Sequence, residues 1–280
     1  MNKKEWKYRT RTEKHYVTQL LKASRFVARS IEGLETIDAI VTRLKDISEQ
    51  KAFSDFARIA AFNMVKSVSV ENAKTWREAA KQLGRPQQIH KLLREEFRSH
   101  PRFLGIVRQN ADLITSIPKT MAKDVTAKAS TLAIGGIRSD DLVAEIKKQV
   151  PGLAEYKARM IARTEVAKTN AAITEIRATE IGRHLYIWRT VQDQRVRSSH
   201  AFMEGVVCSF NAPPCPELLD PRTPESARKR TSEYNPGGIY NCRCYAETII
   251  IIDQLTFPVK VAIGNRIVRM NKKQFMEYMG

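Results

Sequence analysis

Long hydrophobic runs are missing from this chain. The longest apolar stretch, Thr248 to Ile252, falls far short of the roughly 20 residues a membrane-spanning helix needs, so no membrane partner is expected. The first ten residues carry charge with no apolar segment behind them, so no secretory signal is expected either. Cysteine is scarce: four residues in all, every one between Cys208 and Cys244. That is too sparse for a disulfide-built secreted scaffold and points to folding in a reducing compartment. Acid is also in short supply, with Asp plus Glu at 30 against Lys plus Arg at 48. There is no internal repeat, and no helix-turn-helix pattern of the kind a sequence-specific regulator would present.

What remains is a basic chain with a net charge of +18 and a pI near 9.9. A surplus of this size concentrates polyanions near the surface and speeds encounter with them. The first thirty residues hold nine basic groups against two acids. Lys3, Lys4, Lys7, Arg9 and Arg11 form a basic arm, a candidate phosphate contact, that runs into an amphipathic helix over 15–31. Helical spacing then dominates to residue 150, with interruptions expected at Pro86, Pro101, Pro118 and Gly135-Gly136. Ser139-Asp-Asp opens another helix that Pro151-Gly152 is expected to close. A further helix runs from about Leu153 to Ile181, with Gly182 as its stop.

Beyond Gly182 the pattern changes. Residues 184–191 and 245–252 read as strands, rich in aromatic and β-branched side chains. Residues 205–240, dense in Pro and Gly, read largely as loop, and Gly264-Asn265 as the turn of a hairpin between Val259–Ile263 and Ile267–Met270. The expected fold is α+β. A mostly helical N-terminal half, residues 1–150, precedes a smaller α+β module, residues 151–280, with a short antiparallel sheet.

The segment from Arg159 to Cys244 carries an ordered set of residues. It reads Arg159-Met-Ile-Ala-Arg163-Thr-Glu165, then Asn170, Trp188, Asp193-Gln-Arg195-Val-Arg197-Ser-Ser-His200, Gly205, Pro236-Gly-Gly and Asn241-Cys242-Arg243-Cys244. This set resembles the phage Mu F-like domain of head-morphogenesis proteins, over roughly the last half of the chain. The resemblance implies a minor capsid protein of a tailed phage or prophage and not an enzyme. The implied partners are the portal protein, the major capsid or scaffolding protein, and double-stranded DNA bound without sequence specificity. The implied role is in head assembly and DNA packaging or ejection. The implied location is the virion interior, and the host cytoplasm during assembly. Cys208 and Cys215 are additional to the Cys-Arg-Cys end that the family emphasises.

Each candidate residue has a structural and a functional reading. Arg159 and Arg163, one helical turn apart, form either a phosphate- or portal-facing ridge or an internal clamp reaching an acid such as Asp193; the clamp is expected. Asn170, on nearly the same face, is expected to be a satisfied polar contact. Asp193 with His200 invites a hydrolase, and a metal-dependent nuclease is the alternative function. Such a nuclease would need more carboxylates than this stretch supplies, so a structural or metal-binding role is expected for Asp193, Arg197 and His200. Cys208, Cys215, Cys242 and Cys244, with His200, are candidate ligands of a structural zinc. The same thiols could equally stay free as small buried hydrophobes or pair as disulfides. No cofactor is otherwise required. Arg222, Arg228, Lys229 and Arg230 form either a solvated loop or a further phosphate contact, and Lys260, Arg266, Arg269, Lys272 and Lys273 scatter more charge toward the C-terminus.

Overall fold

The computed structural model describes residues 6–7, 10–82, 87, 89–90, 93, 101–135, 137–229 and 232–279. Lys3, Lys4, Arg9, Pro86 and Arg230 lie outside the described residues. The chain divides into two compact units, each drawn from separated stretches. One comprises Met1–Tyr8, Val68–Arg98 and Ala167–Gly280; the other comprises Arg9–Ser67 and Ser99–Val166.

The second of these is helical. Helix α1 (Thr10–Arg29) buries Tyr16, Leu20, Ala23, Ser24 and Val27, spaced three and four apart. Helix α2 (Ile37–Glu49) is capped by the Thr36 side chain, which accepts from the Ala39 amide, and buries Ile40, Leu44 and Ile47. The α2 stripe packs against α4 (Pro101–Ile134). Helices α3 (Lys51–Gln82) and α5 (Ser139–Glu180) contribute residues to both units.

Two expected breaks are absent. Pro118 sits inside α4 and Pro151 inside α5. In α4 the buried stripe Asn110, Ile114, Ile117, Met121, Val125 continues straight through the proline. In α5 the stripe Val143, Ile146, Val150, Ala154, Ala158, Ala162 does the same, with Pro151 and Gly152 on the exposed face. An interior proline costs roughly 3 kcal/mol, and burial of several apolar side chains on either side offsets it. Gly182 does end α5, at φ +68. The Arg183 amide donates to the Ala178 carbonyl across it at 2.8 Å, which is a Schellman closure.

The remaining unit carries a five-stranded sheet in the order β3-β1-β2-β4-β5. The strands are β1 (Leu185–Arg189), β2 (Val206–Ser209), β3 (Tyr245–Thr248), β4 (Val259–Ile263) and β5 (Arg266–Met270). The fold class is the α+β expected, but the sheet is mixed: β2 runs parallel to β4, while the other neighbours are antiparallel. Strand β2 lies inside the stretch read as loop. Its four residues are too few to show a period amid the surrounding Pro and Gly. Short helices α6 (Ser198–Phe202), α7 (Pro216–Leu219) and α8 (Glu225–Arg228) occupy the connections, and α9 (Lys272–Met279) follows β5. Strand β5 stands at an edge with Arg266 and Arg269 exposed.

Strand alternation sorts two cores. Tyr186, Trp188, Val206 and Cys208 face a cluster with Trp6, Trp76, Ala79 and Ala178. Ile187 and Val207 face the opposite way, toward Ile249, Val259, Val261 and Phe275. Trp6 meets Trp76 edge to face at 5.2 Å. Beside them lies a buried polar network. Arg177 donates to Asn72 Oδ1 at 2.7 Å, to Ser69 Oγ at 2.9 Å and to the Ser69 carbonyl. Asn72 Nδ2 donates to Asn170 Oδ1 and Thr174 Oγ1, and Asn170 Nδ2 to the Trp6 carbonyl.

This network generates a prediction. Asn72→Leu removes an acceptor from a buried cation and two bonds from α5, and should lower unfolding free energy by about 2–4 kcal/mol. Thr174→Val should cost about 1 kcal/mol. Urea unfolding of the two variants measures both; equal costs would show that the Arg177 acceptor is not the stronger term.

Candidate functional site

Two stretches far apart in sequence build the site. The first is the loop after β1 together with α6; the second is the turn before β3. Asp193 starts a tight turn, its carboxylate accepting from the Arg195 amide at 3.0 Å. The same carboxylate takes both terminal nitrogens of Arg243, at 2.5 and 2.6 Å, the fork geometry that suits a guanidinium. Arg243 holds the Asp193 carboxyl below its usual range. Arg197 Nη2 donates to the Tyr240 carbonyl at 2.9 Å. The two stretches are thus tied at each end, with His200 between.

His200 is 2% exposed. Its Nδ1 faces Cys242 Sγ at 3.5 Å and Cys244 Sγ at 3.4 Å. Its Nε2 lies 2.8 Å from the Tyr234 hydroxyl. That hydroxyl donates to Glu217 Oε1 at 2.7 Å, and Ser199 Oγ donates to the same oxygen. Tyr234 therefore spends its proton on the carboxylate and accepts from His200. The ring carries its hydrogen on Nε2 and turns the Nδ1 lone pair toward the two sulfurs. Burial, then Glu217, push the Tyr234 phenol far up, which keeps it a donor. Trp188 closes one side of the ring edge-on at 5.6 Å. The two thiols titrate as a pair. The Cys244 thiol, then His200, hold Cys242 well below the ordinary thiol range, while Cys242, then burial, push Cys244 up.

Gly237, with φ +88, presses its backbone against this cluster. A Cβ there would stand 3.2 Å from the Ala167 and Cys244 carbonyl oxygens, and its amide donates to Cys242 Sγ at 3.4 Å. A cavity of about 120 Å³ opens beside Cys242, Cys244 and His200, walled by Arg195, Arg197 and Arg243.

The four-cysteine ligand set is corrected. His200, Cys242 and Cys244 place their ligand atoms within 4.8 Å of one another, but Cys208 and Cys215 do not join them among the described residues. Cys208 lies on β2, its thiol directed at the Val206 carbonyl and pushed up by burial. Cys215 caps α7 and faces Glu217 at 4.0 Å. All four sulfurs are free thiols. The expected clamp from Arg159 or Arg163 to Asp193 is also corrected. Arg159 pairs with Glu155 and Arg163 with Glu13; Asp193 takes Arg243 instead. Glu165 is buried beside Tyr16. Asn170 belongs to the Arg177 network.

Of the basic candidates, Arg11 and Lys229 are exposed and Lys7 is half-buried. Lys229 pairs with Glu225. Arg228, half-buried, donates to the Thr223 and Asp220 carbonyls. Sequence reasoning missed Tyr234 and Glu217. It also missed the buried cluster of Arg189, which donates to Glu247 at 2.5 Å and Glu204 at 3.2 Å. Only Tyr234, two residues ahead of the Pro236-Gly-Gly turn, carried a positional signal.

Three substitutions test the packing of the site. Gly237→Ala should destabilise the protein by about 1–3 kcal/mol, through both its backbone angle and its close approach. Gly152→Ala, on an exposed helical face with nothing within 4 Å, should stabilise by up to about 1 kcal/mol. Thermal melts that moved both the same way would contradict this account. Asp193, whose folded pKa is depressed, lends stability above its unfolded pKa and loses it as pH falls through the folded one. Asp193→Asn should therefore melt below the parent at pH 7, with the gap closing toward pH 3; a constant gap would reject the ion pair as its cause.

Residues 123–247 match the family model for Phage Mu protein F like protein. An uncharacterized protein of Haemophilus influenzae is 31% identical over 167 residues, which is 60% of this chain and 32% of that protein. The chain thus spans about a third of the length of this relative. No solved structure matches. The matched span takes in the end of α4 and all of α5 and runs through β1, α6, β2 and the Cys-Arg-Cys turn into β3, and over those residues the chain is similar to phage Mu F-like proteins.

Proposed function

We propose that this chain is a minor structural component of a tailed-phage head. It is built in beside the portal during assembly in the host cytoplasm, contacts major capsid or scaffolding protein, and lies in the capsid interior against packaged double-stranded DNA. The observation that carries the reading is the phage Mu F-like span over 123–247, a family of head-morphogenesis proteins. The proposed role needs no catalytic step.

Charge supports the DNA contact. Arg11, Lys14, Lys22, Arg25 and Arg29 are all exposed on α1, and their spacing keeps them on one face of the helix. They form a cationic ridge about 27 Å long at 1.5 Å per residue, opposite the stripe that buries Tyr16, Leu20 and Val27. The exposed aromatic beside them, Phe26, is stacked on Phe53, so the contact is with phosphate and is blind to sequence.

Binding to random duplex DNA should therefore weaken steeply with salt. Exchanging the five cations for Glu should reduce the slope of log K against log salt by about 4. Fluorescence anisotropy across a salt series measures this; an unchanged slope removes α1 from the interface. The full chain, co-expressed with portal and capsid proteins, should sediment with procapsids. Recovery only as free protein would reject the head assignment.

A further inference from the structure

We propose that His200, Cys242 and Cys244 bind one zinc ion, with its fourth position open to the cavity walled by Arg195, Arg197 and Arg243. The inference stands on this local geometry and is independent of the role in the head.

The donor spacing fits the metal. Zinc holds sulfur at about 2.3 Å and imidazole nitrogen at about 2.0–2.1 Å, and a tetrahedral angle between them separates the two donors by about 3.5 Å. The observed separations are 3.5 Å and 3.4 Å. The hydrogen-bond order leaves the lone pair of His200 on Nδ1, the nitrogen that faces both sulfurs. One nitrogen lone pair faces both sulfurs, and one ion at the common focus engages all three donors. The outer shell matches what metal-bound histidines have: the other ring N–H is held by Tyr234, itself held by Glu217. The Gly237 amide aimed at Cys242 Sγ stabilises a thiolate.

Three protein ligands leave one position for water, and a cavity of about 120 Å³ has room for it. Among the described residues that wall holds arginines and Asn241 but no carboxylate, so nothing there serves as a base for the bound water. The ion therefore acts as a staple, joining α6 to the turn before β3. The ion takes both sulfurs as thiolates, and its binding free energy adds to that of folding.

The test is metal analysis of the full chain purified under reductant, followed by cobalt substitution. One zinc per chain is expected. Cobalt should give tetrahedral d–d bands and a sulfur-to-metal charge-transfer band set by two thiolates. Cys242→Ser, Cys244→Ser and His200→Ala should lose zinc, while Cys208→Ser and Cys215→Ser keep it. Tyr234→Phe should bind zinc about 10- to 100-fold more weakly in a chelator competition. Absence of stoichiometric metal both as purified and after zinc titration overturns the proposal. So does equal loss on Cys208→Ser, or a Cys242–Cys244 disulfide in protein trapped without reductant. The cobalt spectrum of the parent protein decides the matter even where a ligand variant fails to fold.

Discussion

The sheet-bearing unit turns on one imidazole. His200 is fixed at both ring nitrogens: on one side by Tyr234 and, through it, Glu217; on the other by Cys242 and Cys244. Three stretches remote in sequence meet there: α6, the loop around α7, and the Cys-Arg-Cys turn. These stretches bury Met203, Leu219, Cys242 and Cys244 in the core, and the ring adds polar ties between them. The Asp193–Arg243 fork and the Arg197–Tyr240 bond fasten the outer rim of the same junction, and Gly237 lets the turn lie flat against α5. Remove the ring and each of these elements loses its common anchor.

The protein separates its cations by task. Arg177 and Arg189 are buried and spend their donors on Asn72, Ser69, Glu204 and Glu247. Arg228 and Arg243 hold loops. Among the described residues, the groups on the outer face of α1 hold nothing inside the fold. Net charge by itself does not distinguish these classes. Burial does, because a desolvated guanidinium must be satisfied where it sits, whereas an exposed one keeps its solvent and remains available to a polyanion.

Local turn chemistry was the most legible part of the fold. Gly182 closing α5 and Gly264-Asn265 turning the β4–β5 hairpin follow from positive φ at glycine, and both stand where the residues placed them. The prolines misled because a local rule competes with a tertiary one: at Pro118, itself part of the buried stripe, and at Pro151, on the exposed face, the helix's apolar burial outweighs the lost hydrogen bond. Strand β2 was hidden by its shortness, and its parallel pairing with β4 has no local signature at all. At the site, the cysteines' closeness in sequence suggested four ligands, where Cys208 shares the core with the other two but turns its thiol to the Val206 carbonyl and stays outside their cluster. Tyr234 and Glu217 were invisible because their roles exist only through His200.

Strand β5 closes one side of the sheet with a row of backbone groups that have no neighbouring strand to bond. Such a margin invites a second chain to extend the sheet, a hazard that grows with crowding. Arg266 and Arg269 project from that strand, so an identical strand laid alongside would bring like charges together and strip water from them. Two arginines on an outermost strand thus oppose extension of the sheet by a like strand.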